Sequence, residues 1–150
     1  MGIDVTKSAA STTTVQAARV LVAGEACGEV RASRQMLSFW GGVDPATGMV
    51  IDQRHSLRNQ SLAGAIVVLP KGKGSSTGSY VILDSLAAGV GPAGIVMNQI
   101  DEIIALGVVV HEEFNGRAIP VVVLDDDDFE LALAAKRAEL FADGRVVLHG

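Results

Sequence analysis

Apolar residues in this chain gather into short runs separated by turn-forming clusters, and the spacing inside the runs changes along the sequence. Residues 17–22 read as a first strand ended by Gly24, and residues 25–32 as a second strand joined to it by a tight turn. Residues 65–70 are continuously apolar up to Pro70, the pattern of a central strand covered on both faces. Residues 93–97, 119–124 and 145–149 read as further strands. Helical spacing appears between them. An apolar stretch covers residues 80–88, and residues 101–114 fit a helix with Asp101 as N-cap and Ile103, Ile104, Leu106, Gly107 and Val110 on its buried side. The acidic run 125–128 caps another helix predicted to reach about Phe141. Residues 38–48, with three glycines and a proline, form a loop of defined shape, and residues 49–52 leave it as a short strand. Strands first and strand–helix units afterwards predict an α/β fold, a mixed β/β/α domain.

Composition fits one folded unit. The chain has 150 residues, enough for a single domain with a sizeable core. Residues 1–14 are rich in Ser, Thr and Ala and read as a flexible tail; residues 15–150 form the domain. A formal charge of -5 argues against nucleic acid or an anionic membrane as partner. No apolar run approaches the roughly 20 residues of a membrane span. The N-terminus lacks the layout of a secretory signal, and the myristoylation-like spacing of Gly2 and Thr6 is short enough to arise by chance. Cys27 is the sole cysteine, so neither an intrachain disulfide nor a multi-thiolate metal site can form. It reads as a small buried residue, and the expected compartment is cytoplasm.

The most informative segment runs from Pro70 to Tyr80, through Lys71-Gly72-Lys73-Gly74-Ser75-Ser76-Thr77-Gly78-Ser79. It joins a buried strand to a helix, and free N–H groups collect at a helix start. Glycines let backbone approach a ligand closely, and Lys71 and Lys73 add positive charge. Such a turn suits a carboxylate and lowers the cost of forming a serine alkoxide. It lacks the order of a P-loop and the flanking glycines of a hydrolase nucleophile elbow. The competing reading is structural, with Ser75 or Ser76 as a helix cap.

Several ordered blocks together resemble the small subunit, or swivel domain, of the aconitase X family. They are Gly24-Glu25-Ala26 with Gly28, Ser38-Phe39-Trp40-Gly41-Gly42-Val43-Asp44-Pro45 with Thr47-Gly48, Asp52 with Arg54-His55, Ser61-Leu62-Ala63-Gly64, the serine turn, and residues 119–125. The resemblance implies a swivelling β/β/α domain of the aconitase superfamily, a barrel-like sheet flanked by helices. It implies that Ser75 removes the substrate's α-proton, with Gly74, Ser76, Thr77 and Ser79 around the substrate. Ordinary aconitases carry an arginine two residues after that serine. Thr77 stands there instead, which favours a smaller acid than a tricarboxylate.

The same resemblance implies an iron–sulfur cluster whose iron acts as Lewis acid on the departing hydroxyl. Clusters need several thiolates and this chain has one, so the ligands would lie on a large aconitase X subunit. Two substrates are implied, cis-3-hydroxy-L-proline first and mevalonate 5-phosphate as the alternative. Gly41, Gly42, Asp44, Arg54 and His55 are candidates for the border of the shared site, against loop geometry and turn capping. Trp40 would pack at the subunit junction or line the pocket. His111 reads as a solvated helix position, and the four aspartates 125–128 as a helix cap in preference to a metal site. A non-catalytic scaffold of the same fold, and a stand-alone serine hydrolase, are the remaining readings; no histidine spacing supports the latter.

Overall fold

The structure is a computed structural model that describes residues 11–71 and 77–150. Its centre is an eight-stranded mixed sheet in the order β1-β8-β7-β3-β4-β5-β6-β2. The strands are β1 (Thr12–Gln16), β2 (Arg19–Val22), β3 (Ala26–Ala32), β4 (Ile66–Leu69), β5 (Gly94–Met97), β6 (Val121–Val123), β7 (Arg137–Leu140) and β8 (Arg145–His149). β3, β4, β5 and β6 are mutually parallel neighbours. β1, β8 and β7 extend the sheet antiparallel beyond β3, and β2 closes the other end against β6. β1 and β2 lie at opposite ends of the order, yet only Ala17 and Ala18 separate them. The sheet is therefore curled until its two ends come together, as a barrel-like fold requires.

Both faces of the central strands are buried, which is why they carry no polar alternation. Val67, Leu69, Ile95, Met97 and Val121 face one core. Ile66, Val68, Val96 and Val122 face the other. The first core is covered by α2 (Thr77–Ala87) and α3 (Glu102–Asn115), the crossovers between β4, β5 and β6, and by the irregular segment between β3 and β4. That segment contributes Leu37, Phe39, Val43, Val50, Leu57 and Leu62, and includes α1 (Phe39–Gly42), a single kinked turn. The second core is enclosed by α4 (Asp126–Ala134) with Ala138, Leu140, Val146 and Leu148 of the antiparallel strands.

Several expectations need correction. Thr12, Thr13 and Thr14, assigned to the tail, pair with Leu148 and its neighbours in β8. The first two predicted strands do not form a hairpin: β2 goes to the edge beside β6 and β3 to the middle of the sheet. Residues 49–52 make only isolated bridges, Val43 with Val50 and Met49 with Ser61. The helix expected to reach Phe141 stops at Ala134, because Ala138 and Leu140 alternate with Arg137 and Glu139 and are fully buried between β3 and β8. On α3 the core side is Ile104, Gly107, Val108 and His111, while Leu106 is 51% exposed. His111 is thus buried, not solvated, and accepts a hydrogen bond on Nδ1 from the Asn115 amide at 3.0 Å. Cys27 is exposed, because strand alternation puts it opposite the buried side occupied by Gly28.

Candidate functional site

The C-terminal ends of parallel strands and the helices that follow them are the usual place for a site in an open α/β sheet. Here β4 ends at Leu69 and α2 begins at Thr77. Lys73, Gly74, Ser75 and Ser76 lie between them, outside the described residues, so the predicted base belongs to a segment bracketed by two described elements. Thr77 is the first residue of α2, and Ser79, one position into its first turn beyond Gly78, is buried.

The first turn of α2 packs against α1. A Cβ on Gly78 would sit 3.9 Å from Phe39 Cβ on one side and 3.9 Å from Ile103 of α3 on the other. The chain bends sharply just after Phe39: Trp40 is extended in ψ, and Gly41 takes φ +79° with open space around it, a conformation that favours glycine. This bend turns the Trp40 side chain outward, where it is 63% exposed. Tyr80, on α2, is 64% exposed. Together with Gly41, Val43, Asp44, Pro45, Ile51, Val81 and Asp84 they line an open apolar hollow of about 420 Å³ beside the start of α2.

The predicted border residues separate into three kinds of position. Gly41 and Asp44 line the hollow. Asp44 also caps its own turn, its carboxylate accepting from Ala46 N–H at 2.9 Å and its carbonyl from the N–H groups of Thr47 and Gly48. Gly42 lies behind, buried, with its carbonyl accepting from Ile51 N–H at 2.8 Å. Arg54 is exposed, and Asp52 fixes its backbone by accepting its N–H at 3.0 Å. His55 is outside the hollow. It is 3% exposed; Nδ1 accepts from Leu57 N–H at 3.0 Å, and Nε2 donates to the Gln35 carbonyl at 3.3 Å. Both ring nitrogens are committed to main chain, which makes it a tie between two segments.

Sequence reading missed Tyr80, Asp84, Val81 and Ile51 as neighbours of Trp40. A compositional signal was present: the chain contains one Trp and one Tyr, and both stand exposed at this hollow.

The acidic run serves α4 as predicted. Asp125 is the N-cap, accepting from Asp128 N–H at 3.0 Å, and Asp126 accepts from the Asn98 amide. Desolvation, then the charges of Asp125 and Asp127, push the Asp128 carboxyl above its ordinary range. Among the described residues no three His, Cys, Asp or Glu side chains come together in a way that could hold a metal ion. Cys27 alone offers a single exposed sulfur on β3. The donors described therefore do not fit an iron–sulfur cluster. Among the described residues no helix is long and apolar enough to cross a membrane.

A curled mixed sheet with helical crossovers, and an irregular segment packed into one of its two cores, defines an α/β domain. The family model of the aconitase X swivel domain matches residues 15–148, and the chain belongs to that family. It is 50% identical over 115 residues to cis-3-hydroxy-L-proline dehydratase of Hypocrea jecorina, a match covering 77% of this chain and 19% of that protein. It is 46% identical over 94 residues to the phosphomevalonate dehydratase small subunit of Thermococcus kodakarensis, covering 63% of this chain and 71% of the relative. The crystal structure of Thermococcus kodakaraensis aconitase X, in its holo form, superposes with a TM-score of 0.78 at 36% identity, covering 92% of this chain and 98% of the other. The chain thus spans about a fifth of the length of the hydroxyproline dehydratase relative.

Proposed function

We propose that this chain is the small subunit of a heteromeric aconitase X-type hydro-lyase that dehydrates a β-hydroxy acid, and that Ser75 is the base that removes the α-proton. The observation that carries the reading is the family match over residues 15–148, a range that includes Gly74 and Ser75, which lie in sequence between β4 and α2. A serine hydroxyl is a weak base at neutral pH. Placed ahead of α2, among glycines and near Lys71 and Lys73, its alkoxide would be favoured by unpaired N–H groups and positive charge. The same donors would hold the substrate carboxylate, with Gly74, Ser76, Thr77 and Ser79 around it, and stabilise charge that builds there as the proton leaves.

The iron–sulfur cluster, in this reading, is bound by a large cytoplasmic subunit and not by this chain. The substrate is cis-3-hydroxy-L-proline, supported by the 50% identity to a dehydratase of that name. Mevalonate 5-phosphate is the alternative, supported by the 46% identity to a small subunit named for that substrate.

The test is reconstitution with the purified cognate large subunit and assay of both acids. Ser75→Ala should lower turnover by about a hundredfold or more while leaving assembly unchanged. Undiminished turnover would remove the base assignment, and full activity of the isolated chain would remove the two-subunit reading.

A further inference from the structure

We propose that Asn98 is a positioning residue for the reaction, holding the two described ends of the segment that carries Ser75. The proposal rests on the assignment of Ser75 as base and adds what sets the place of that base.

Asn98 directly follows β5 and reaches the strands on either side of it. Its N–H and that of Gln99 both donate to the Pro70 carbonyl, each at 3.1 Å. Pro70 is the residue after β4, so these two bonds fix where the chain leaves that strand on its way to Ser75. The side chain of Asn98 turns the other way. Its NH2 group donates to the Leu124 carbonyl at 3.2 Å, just beyond β6, and to the Asp126 carboxylate at 3.0 Å, in the first turn of α4. Neither a carbonyl nor a carboxylate has a proton to give, so the amide has one orientation here. One residue thus ties together the C-terminal ends of three neighbouring parallel strands.

The far end of the Ser75 segment is reached from the same stretch of chain. Asp101 caps α3 by accepting from the N–H groups of Ile103 and Ile104. Ile103 in turn packs toward α2, where a Cβ on Gly78 would lie 3.9 Å from its Cγ2. Residues 98–103 therefore meet Pro70 before Ser75 and Gly78 after it. A general base has to stand within hydrogen-bond reach of the proton it removes, and a misplacement of about 1 Å costs on the order of a hundredfold in rate. Almost any residue at position 98 would supply the backbone bonds. The bridge to Leu124 and Asp126 needs two hydrogens on a short stem, which asparagine provides.

The experiment combines steady-state kinetics of the reconstituted enzyme with nuclear magnetic resonance of the chain by itself. Asn98→Ala should lower kcat about tenfold or more, with KM within about twofold of the parent value. Asn98→Asp sets oxygen against oxygen and should lose more. Adding Asp126→Asn returns a donor to that contact and should raise kcat about threefold or more above Asn98→Asp alone. Asp125→Ala is the control for a loosened α4, because it removes the helix cap without touching Pro70; it should melt earlier and keep the parent kcat. In the free chain, the amide signals of Gly74 and Ser75 should move in Asn98→Ala and stay in place in Asp125→Ala. Asn98→Ser, which keeps one donor, replaces Asn98→Ala if the latter does not fold, with an intermediate kcat expected.

Parent-like kcat in Asn98→Ala, unmoved Gly74 and Ser75 signals, or no rescue in the double variant overturns the proposal. So does an equal loss of kcat in Asp125→Ala, which would make a loosened α4 the cause. Ser75→Ala keeps the two readings separable. Undiminished turnover there removes the base, whereas lost turnover beside parent-like Asn98 variants removes only the positioning role.

Discussion

His55 holds together two stretches of chain that have little regular structure of their own. Its ring joins Leu57 N–H to the Gln35 carbonyl, and around it Ser56 N–H donates to the Gln35 side chain while the hydroxyls of Ser33 and Ser56 meet at 2.6 Å. Segment 33–35 is stitched in this way to segment 55–57, directly after β3. Replacing His55 with leucine fills the space and leaves a donor and an acceptor without partners. Each unsatisfied group costs about 1–3 kcal/mol where water does not reach it. His55→Leu is expected to lose stability on that scale in urea unfolding, with turnover per folded, assembled molecule retained. A variant of unchanged stability and lost turnover would show instead that the imidazole works in catalysis. The dipeptide Arg54-His55 was legible in sequence as a notable pair, but not the division of labour inside it. Only the fold shows that one member faces solvent and the other is walled in.

At the scale of elements, the decisive contact is between α2 and α3. A Cβ on Gly107 would stand 2.6 Å from the Ser79 carbonyl oxygen and 3.1 Å from Ile82 Cβ, so the two helices approach as closely as they do because position 107 has no side chain. Gly107→Ala adds helix propensity worth about 1 kcal/mol. It also forces a backbone oxygen aside, and overpacking of that kind costs about 1–3 kcal/mol. Backbone has no rotamer to escape into, so the net expectation is destabilisation with α2 displaced. Since α2 begins two residues after Ser75 in sequence, turnover of the reconstituted enzyme should fall further than thermal stability alone accounts for. Equal losses would detach the helix contact from the site.

This contact also explains what sequence could and could not resolve. β4 and β5 were legible because a strand buried on both faces is apolar throughout. α3 was legible as a helix, with Asp101 accepting from the N–H groups of Ile103 and Ile104, but its apolar residues surround it, and the buried side read from sequence included the exposed Leu106 and left out Val108 and His111. Gly107 settles it, since the glycine has to face the neighbour that approaches most closely. The stretch after Ala134 failed for the opposite reason. Arg137, Ala138, Glu139 and Leu140 are all good helix formers, and pairing with β3 and β8 overrides that preference. The glycine- and serine-rich segment was the clearest functional signal in the sequence, whereas the hollow beside α2 joins residues from three separate segments and had no local pattern to show.

At the scale of the whole molecule, β3 is the strand on which both halves of the sheet depend. Ala26–Glu29 pair antiparallel with β7, and Val30–Ala32 pair parallel with β4, so one short strand passes the sheet from its antiparallel half to its parallel half. Gly28 sits just before that exchange, opposite Ala138, and a Cβ there would come within 2.6 Å of the Gly64 carbonyl oxygen. The turn that delivers the chain into β4 is therefore packed directly on the strand that receives it. Gly28→Ala should push the two apart at a cost of about 1–3 kcal/mol, against which a strand interior gains little from alanine. The loss should appear on both sides of β3. Amide hydrogens of β4 and β5 and those of β7 and β8 should lose protection together, because neither half keeps its pairing when the shared strand shifts. Protection lost from β7 and β8 alone would mean that the parallel half stands by itself and that β3 is merely its edge.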